Sequence, residues 1–311
     1  MHIVFLDADT IGKDISLSPL EPLGKLKVYS TSLQDEVAGR IKQADIIITN
    51  KVQIRQAEMD NAPKLKLICI TATGTNNVDL EYAAKKGIAV KNVAGYSTES
   101  VVQTTFASIL SLLNSTAYFD QYVKSGAYST SPIFTHYGQT FWEMTGKNFG
   151  IIGMGTIGKR VAEVATAFGA KVYYYSTSGN NNCETYLRLS LEELLQTCDI
   201  VSIHAPLNDK TKNLITHNEL KLMKPTAFIA NMGRGGIINE KDLAKALNEN
   251  LIAGAAVDVF EQEPIPADHP YLAVKNKQKL MLTPHIAWGS AEARKRLLEL
   301  TAKNIETFLS K

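Results

Sequence analysis

Three side chains in the last third of the chain have the chemistry to act together: Arg234, Glu263 and His285. Arg234 stands between glycines in "NMGRGG" (231–236), directly after the apolar run "AFIA". Glu263 follows "AAVDVF" in "DVFEQEP", and His285 follows "LMLT" in "TPHIAWG". Each lies at or just beyond the C-terminal end of a run that reads as a buried strand, the edge at which open α/β sheets bind ligands. Arginine is a fixed cation whose planar fork fits a carboxylate in two-pronged fashion. Histidine exchanges a proton near neutral pH, and a neighbouring carboxylate orients its ring. Together the three could move a proton to or from an oxygen beside an anchored carboxylate. Taken singly, each has an ordinary explanation: a surface ion pair for Arg234, a solvated loop carboxylate before Pro264, a turn histidine after Pro284. His204, in "SIHAP", also ends a strand and reads as lining a ligand site; His2, His136, His217 and His269 read as structural or solvated.

A glycine-rich turn supplies a second ingredient. "GIIGMGTIGKRVAEVATAFG" contains Gly153-x-Gly155-x-x-Gly158 after an apolar strand and before a helix with apolar residues at 157, 161, 165 and 168. In that context the glycines allow a tight turn, close approach of a pyrophosphate and close helix–sheet contact. The amides of Thr156 and Ile157 would face the phosphates from the helix N-terminus. An acidic residue ending the next strand would accept from the ribose 2′-hydroxyl and repel a 2′-phosphate. Here that position is Ser176, followed by Thr177 and Ser178, with no Arg or Lys beside them in "YYYSTSGNNN". The cofactor expectation is therefore NAD or NADP, with NADP tolerated.

The elements that must hold these residues alternate along the chain. Strands are expected at 2–9, 27–30, 45–50, 66–71 and 88–93, separated by helical patterns such as "LQDEVAGRIKQA". A second series follows at 148–155, 171–176, 199–206, 227–233, 253–260 and 280–287. Such alternation is the signature of βαβ units and parallel sheets, and six strands is the count of a complete dinucleotide-binding sheet. Between the series, 98–126 reads as one long helix or two, and a polar, aromatic-bearing stretch follows as a bridge between domains. Ser190-x-x-Glu193 and Thr216-x-x-Glu219 fit capping boxes. The last segment is an amphipathic helix expected to pack on the first domain.

Composition sets the outer bounds. The 311 residues suffice for two domains, and 45% apolar with 21% charged residues is the balance of a globular protein. A net charge of +2 gives no basic field for nucleic acid or an anionic membrane. Cys69, Cys183 and Cys198 form no CxxC pair, so reduced thiols in the cytoplasm and no metal site are expected. "MHIVFLDAD" reads as a strand rather than a signal peptide.

With "GIIGMGTIG", "NMGRGG", "DVFEQEP" and "TPHIA" in order, the chain resembles the D-isomer-specific 2-hydroxyacid dehydrogenase family over essentially its whole length. The resemblance implies an α/β architecture of the formate/glycerate dehydrogenase type, with two Rossmann-like or flavodoxin-like domains. Residues 1–98 with 288–311 would bind substrate, and 99–287 would bind NAD(P), with the reaction in the cleft between them. Arg234 would hold the substrate carboxylate and the oxygen being reduced, His285 would be the general acid/base, and Glu263 its partner. Asp258 would contact the nicotinamide carboxamide, His204 and Pro206 would flank the cofactor, and the backbone at Met232 and Gly233 would pass close to it. In "ATGTNNVD" (72–79) the amides near Thr73 and Gly74 would receive the carboxylate. "GYSTESVVQTTF" and "PHIAWGSAEARKRL" resemble the bacterial glycerate dehydrogenase, or hydroxypyruvate reductase, branch, in which Trp288 would lie close to the active site. The implied substrates are hydroxypyruvate and glyoxylate, and the implied assembly is a homodimer. Lactate- or phosphoglycerate-type reductases and a nicotinamide-sensing corepressor are the alternatives. Two departures stand out: Gln103 where many members carry Glu, and Ser176 in place of the acidic ribose ligand.

Overall fold

The central apolar runs read as strands, among them 46–49, 67–70, 200–203, 228–231 and 254–257, are buried on both faces, as parallel strands sandwiched between helices must be. The computed structural model describes residues 1–310. The chain divides into two units, Met1–Ser97 together with the chain from Gly289 onward, and Thr98–Trp288.

The first unit holds β1 (His2–Phe5), β2 (Lys25–Val28), β3 (Ile46–Thr49), β4 (Leu67–Ile70) and β5 (Ala89–Lys91). They form an all-parallel sheet in the order β2-β1-β3-β4-β5, the flavodoxin-like arrangement. Val4, Leu6, Ile47, Ile68 and Ile70 share one core with Val37 and Ile41 of α1 (Gln34–Ile41), Met59 of α2 (Gln56–Asp60) and Ala83 of α3 (Leu80–Lys85).

The second unit begins with α4 (Thr98–Leu113) and α5 (Thr116–Lys124). The stretch 98–126 is thus two helices, broken where Ser115 takes a positive φ of 49°. Its sheet contains β6 (Asn148–Ile152), β7 (Lys171–Tyr175), β8 (Leu187–Arg188), β9 (Ile200–Ile203), β10 (Phe228–Asn231), β11 (Gly254–Val257) and β12 (Leu280–Leu282). The order is β12-β11-β10-β9-β6-β7-β8, all parallel. Seven strands stand where six were expected. The extra one, β8, is an exposed two-residue edge strand, too short to leave a periodic signal.

The two-residue period of a strand sorts the core. On β10, Phe228 and Ala230 join Phe106, Ile109 and Val161 on one face, while Ile229 joins Leu194, Leu195 and Leu243 on the other. The covering helices are α6 (Thr156–Ala167), α7 (Leu191–Thr197), α8 (His217–Leu222) and α9 (Glu240–Asn248), with α4 on the α6 side. Both expected capping boxes form: Ser190 N donates to Glu193 Oε2 at 2.9 Å, and Thr216 N donates to Glu219 Oε2 at 2.9 Å. Each cap contributes about 1 kcal/mol. The stretch expected to bridge the domains belongs to this second unit. The last helix, α10 (Ala291–Leu309), belongs to the first unit and packs on β4, burying Ala293, Leu297, Leu298 and Ile305.

Candidate active site

All three residues with acid–base or anion-binding chemistry sit in the second unit, on turns that leave the C-terminal edges of β10, β11 and β12. These strands are neighbours, so side chains 22 residues apart meet: His285 Nδ1 lies 2.8 Å and 3.0 Å from the two oxygens of Glu263. Glu263 is itself aimed, because its Oε1 accepts from the amide of Phe260 at 3.0 Å. His285 sits at a φ of 53°, a left-handed conformation that histidine tolerates better than most residues. Its amide donates to the Asp258 carbonyl at 2.7 Å, which holds the turn in place. With Nδ1 given to Glu263, Nε2 has no protein partner among the described residues.

Asp258 lies beneath the His285 turn. Its buried carboxylate accepts from Thr283 Oγ1 at 2.6 Å, Ile286 N at 2.9 Å and Ala287 N at 3.0 Å. These bonds clamp the loop that carries His285. Burial pushes the Asp258 carboxyl above the usual carboxylate range, against the pull of those hydrogen bonds and of His285.

Arg234 is held by its backbone. The buried Asn231 side chain donates from Nδ2 to the Arg234 carbonyl at 2.9 Å and accepts from Gly233 N at 3.1 Å. Arg234 Nη1 turns back to the Gly233 carbonyl at 2.8 Å, and the guanidinium forms no ion pair with any described residue. Gly235 explains why the loop is glycine-rich: a Cβ there would collide with the Phe260 backbone. The arginine turn therefore packs directly on the turn that aims Glu263.

Behind these turns lies a second support that residue types alone did not disclose. Glu240, in the first turn of α9, accepts from Glu261 N at 2.8 Å through Oε1, and its Oε2 meets His269 Nε2 at 2.8 Å. His269 is buried against Phe260 and Tyr271. Its expected structural role thus acquires a location, beneath the Asp258–Glu263 loop. An acid in a first helical turn looks the same in sequence whether it caps a helix or braces a loop.

The glycine turn fits a dinucleotide. Gly153 follows β6 at a φ of 98°, and a Cβ there would lie 2.8 Å from Ala205 N, so the chain passes tightly between two strand ends. Gly158 lies against the Gly153 carbonyl, whereas a Cβ on Gly155 would enter open space, the room a pyrophosphate needs. Thr156 and Ile157 open α6, where amides have no carbonyl one turn earlier to bond. Two buried polar atoms near this edge lack partners among the described residues: Ser176 Oγ, just after β7, and His204 Nδ1, just after β9. His204 Nε2 pairs with Ser202 Oγ at 2.8 Å, and burial pushes its imidazole down to about 3. Burial thus favours the neutral form of the His204 ring. Pro206 is exposed, its carbonyl accepting from Thr211 Oγ1 at 2.6 Å. Met232 is buried in the core below the Arg234 turn, and Trp288 packs partly buried against that same core. Gln103 is exposed on α4.

Thr73 and Gly74 lie in the first unit, in the turn after β4. Thr73 Oγ1 donates to the Val93 carbonyl at 3.2 Å and Asn92 Nδ2 donates to the Thr73 carbonyl at 2.7 Å. Those bonds hold the turn while the amides of Thr73 and Gly74 donate to no described group.

Comparison with known proteins agrees with this architecture. Residues 106–287 match the model of the D-isomer specific 2-hydroxyacid dehydrogenase NAD-binding domain. The chain is 37% identical over 318 aligned positions to a hydroxypyruvate reductase from Blautia hydrogenotrophica, covering 99% of this chain and 97% of that protein. It is 38% identical to a glyoxylate reductase from Aeropyrum pernix, covering 90% and 84% of the two chains. The structure of D-lactate dehydrogenase from Aquifex aeolicus, complexed with NAD and lactic acid, superposes with a TM-score of 0.85 at 29% identity, covering 99% and 95%. No helix among the described residues is long and apolar enough to cross a membrane. The chain therefore belongs to the D-isomer specific 2-hydroxyacid dehydrogenase family, nicotinamide-dependent oxidoreductases acting on CH–OH groups.

Proposed function

We propose that the chain reduces a small 2-keto acid, hydroxypyruvate or glyoxylate, to the D-2-hydroxy acid (glycolate from glyoxylate). The observation that carries this reading is the asymmetry of His285: Nδ1 is engaged by Glu263, and Nε2 is left for a ligand. Protonated at Nε2, His285 donates to the oxygen on C2 as negative charge develops there. Glu263 keeps the ring oriented and balances the imidazolium before transfer. Arg234, without an internal acid, offers its fork to the substrate carboxylate and to the C2 oxygen. When bound, the nicotinamide supplies the hydride. Asp258 holds the histidine turn, and its remaining lone pairs are the proposed acceptors for the nicotinamide carboxamide.

The names of the relatives favour hydroxypyruvate and glyoxylate over pyruvate. The expected result in a panel of 2-keto acids, each assayed with NADH and NADPH, is a kcat/KM for hydroxypyruvate or glyoxylate at least tenfold above that for pyruvate. A preference for pyruvate or a phosphorylated keto acid would overturn the substrate assignment. Turnover too slow to measure with any acid would overturn the enzyme reading in favour of a sensor.

The same proposal includes a homodimer. In the second unit the segment after α5 exposes four large apolar side chains, Ile133 (57%), Phe134 (90%), Tyr137 (78%) and Phe141 (51%), the kind of surface that an interface covers. It is nonetheless ordered: His136 stacks on Tyr122 at 3.7 Å between centroids and bonds the Tyr118 hydroxyl at 2.7 Å. An ordered apolar arm suits a second copy of the chain. Sedimentation is expected to give twice the chain mass for the wild type and a monomer for Phe134→Asp. A monomeric wild type would remove the proposal.

A further inference from the structure

In this fold the residue ending the second strand of the nucleotide half meets the 2′ position of the adenosine ribose. Here it is Ser176, and no Asp or Glu occurs from Lys171 through Cys183. Residues 176–179 form a turn, closed by Gly179 N donating to the Ser176 carbonyl at 3.2 Å with Gly179 at a φ of 78°. Thr177 is half-buried and Ser178 exposed on that turn. The Ser176 hydroxyl is buried and has no partner among the described residues.

The local sequence shows hydroxyls and no cation. The sheet supplies one. β8 runs parallel to β7 with Arg188 paired to Tyr174, which returns the arginine, 12 positions later in sequence, to the tip of the serine turn. Arg188 Nη1 donates to the Gly179 carbonyl at 3.1 Å. The guanidinium is exposed, forms no ion pair with any described residue, and keeps its other N–H groups for a ligand. A fixed fork, the hydroxyls of Thr177 and Ser178, and a serine where the strand would otherwise end in an acid are the chemistry of a phosphate monoester site. We propose that Arg188, with the hydroxyls of Thr177 and Ser178, binds the 2′-phosphate of NADP, so that the chain prefers NADP(H) to NAD(H).

The inference rests on the glycine turn binding a dinucleotide, and the test separates the two. Calorimetric titration would compare 2′,5′-ADP with 5′-AMP on the wild-type chain and on Arg188→Ala. The wild type is expected to bind 2′,5′-ADP at least tenfold tighter than 5′-AMP, the scale of one added charge-assisted contact. In Arg188→Ala, 2′,5′-ADP should weaken about tenfold or more while 5′-AMP stays within about twofold. Equal affinity of the wild type for both nucleotides overturns the proposal. An equal weakening of both in the variant also overturns it, since Arg188 would then only shape the turn. If 5′-AMP and 2′,5′-ADP both fail to bind the wild type, the dinucleotide reading fails and takes this inference with it.

Discussion

His285→Gln is expected to lower kcat by about 100-fold or more, the scale of general acid–base catalysis, with NAD(P)H affinity unchanged. The glutamine amide keeps polarity near the Glu263 carboxylate but cannot pass a proton to the C2 oxygen. The wild-type ring is held for that task from two directions. Glu263 engages Nδ1 at 2.8 Å, and the turn itself is fixed by His285 N bonding the Asp258 carbonyl at 2.7 Å. Backbone strain is the competing explanation for a loss, because residue 285 has a positive φ. His285→Asn controls for it, since asparagine favours that region and also lacks a transferable proton. Both variants should lose turnover to a similar degree. Near-normal turnover in either would remove His285 from the acid–base role. Stopped-flow measurement of NAD(P)H binding by fluorescence separates a chemical loss from a misassembled nucleotide site.

Arg234→Ala is expected to lower kcat/KM for the 2-keto acid by about 1000-fold, with the NAD(P)H dissociation constant unchanged within about twofold. One preorganised donor to a developing oxyanion accounts for about 100- to 1000-fold, and Arg234 is assigned the carboxylate as well. The loop should survive the change. Asn231 grips the backbone of Gly233 and Arg234, not the guanidinium, and Gly235 packs on the Phe260 backbone. The side chain's bond to the Gly233 carbonyl is the main protein contact that alanine removes. Arg234→Lys should recover only part of the loss, because an ammonium restores charge but not the two-pronged geometry. An unchanged kcat/KM in Arg234→Ala would overturn the anchor.

Much of this architecture was legible in the chain because its signals are local. Strands such as β3 and β10 are continuous apolar runs, and Ser190 and Thr216 stand three residues before the glutamates that complete their caps. The glycine turn carries its strand before it and its helix after it. What was missed lacks a periodic or compositional mark. β8 spans two exposed residues, and the choice between one helix and two over 98–126, left open by the sequence, turns on one positive φ at Ser115. The Asp258 motif gave no sign of the three bonds that tie its carboxylate to the loop of 283–287. His269 and Glu240 gave no sign that they share a bond beneath that loop.

By itself the sequence determined which chemistry is present: a fixed cation, a proton-exchanging ring, a carboxylate and a phosphate-binding turn, each beyond the end of a buried strand. Those properties belong to single residues and their immediate neighbours. Only the tertiary structure decided which groups meet. β10, β11 and β12 are adjacent, so Glu263 reaches His285 and Gly235 lies on Phe260; β7 and β8 are paired, so Arg188 returns to the serine turn. The physical reason is register. A parallel sheet brings residues 12 or more positions apart within hydrogen-bond reach according to strand order, and strand order is a property of the packed core, not of any local stretch of chain.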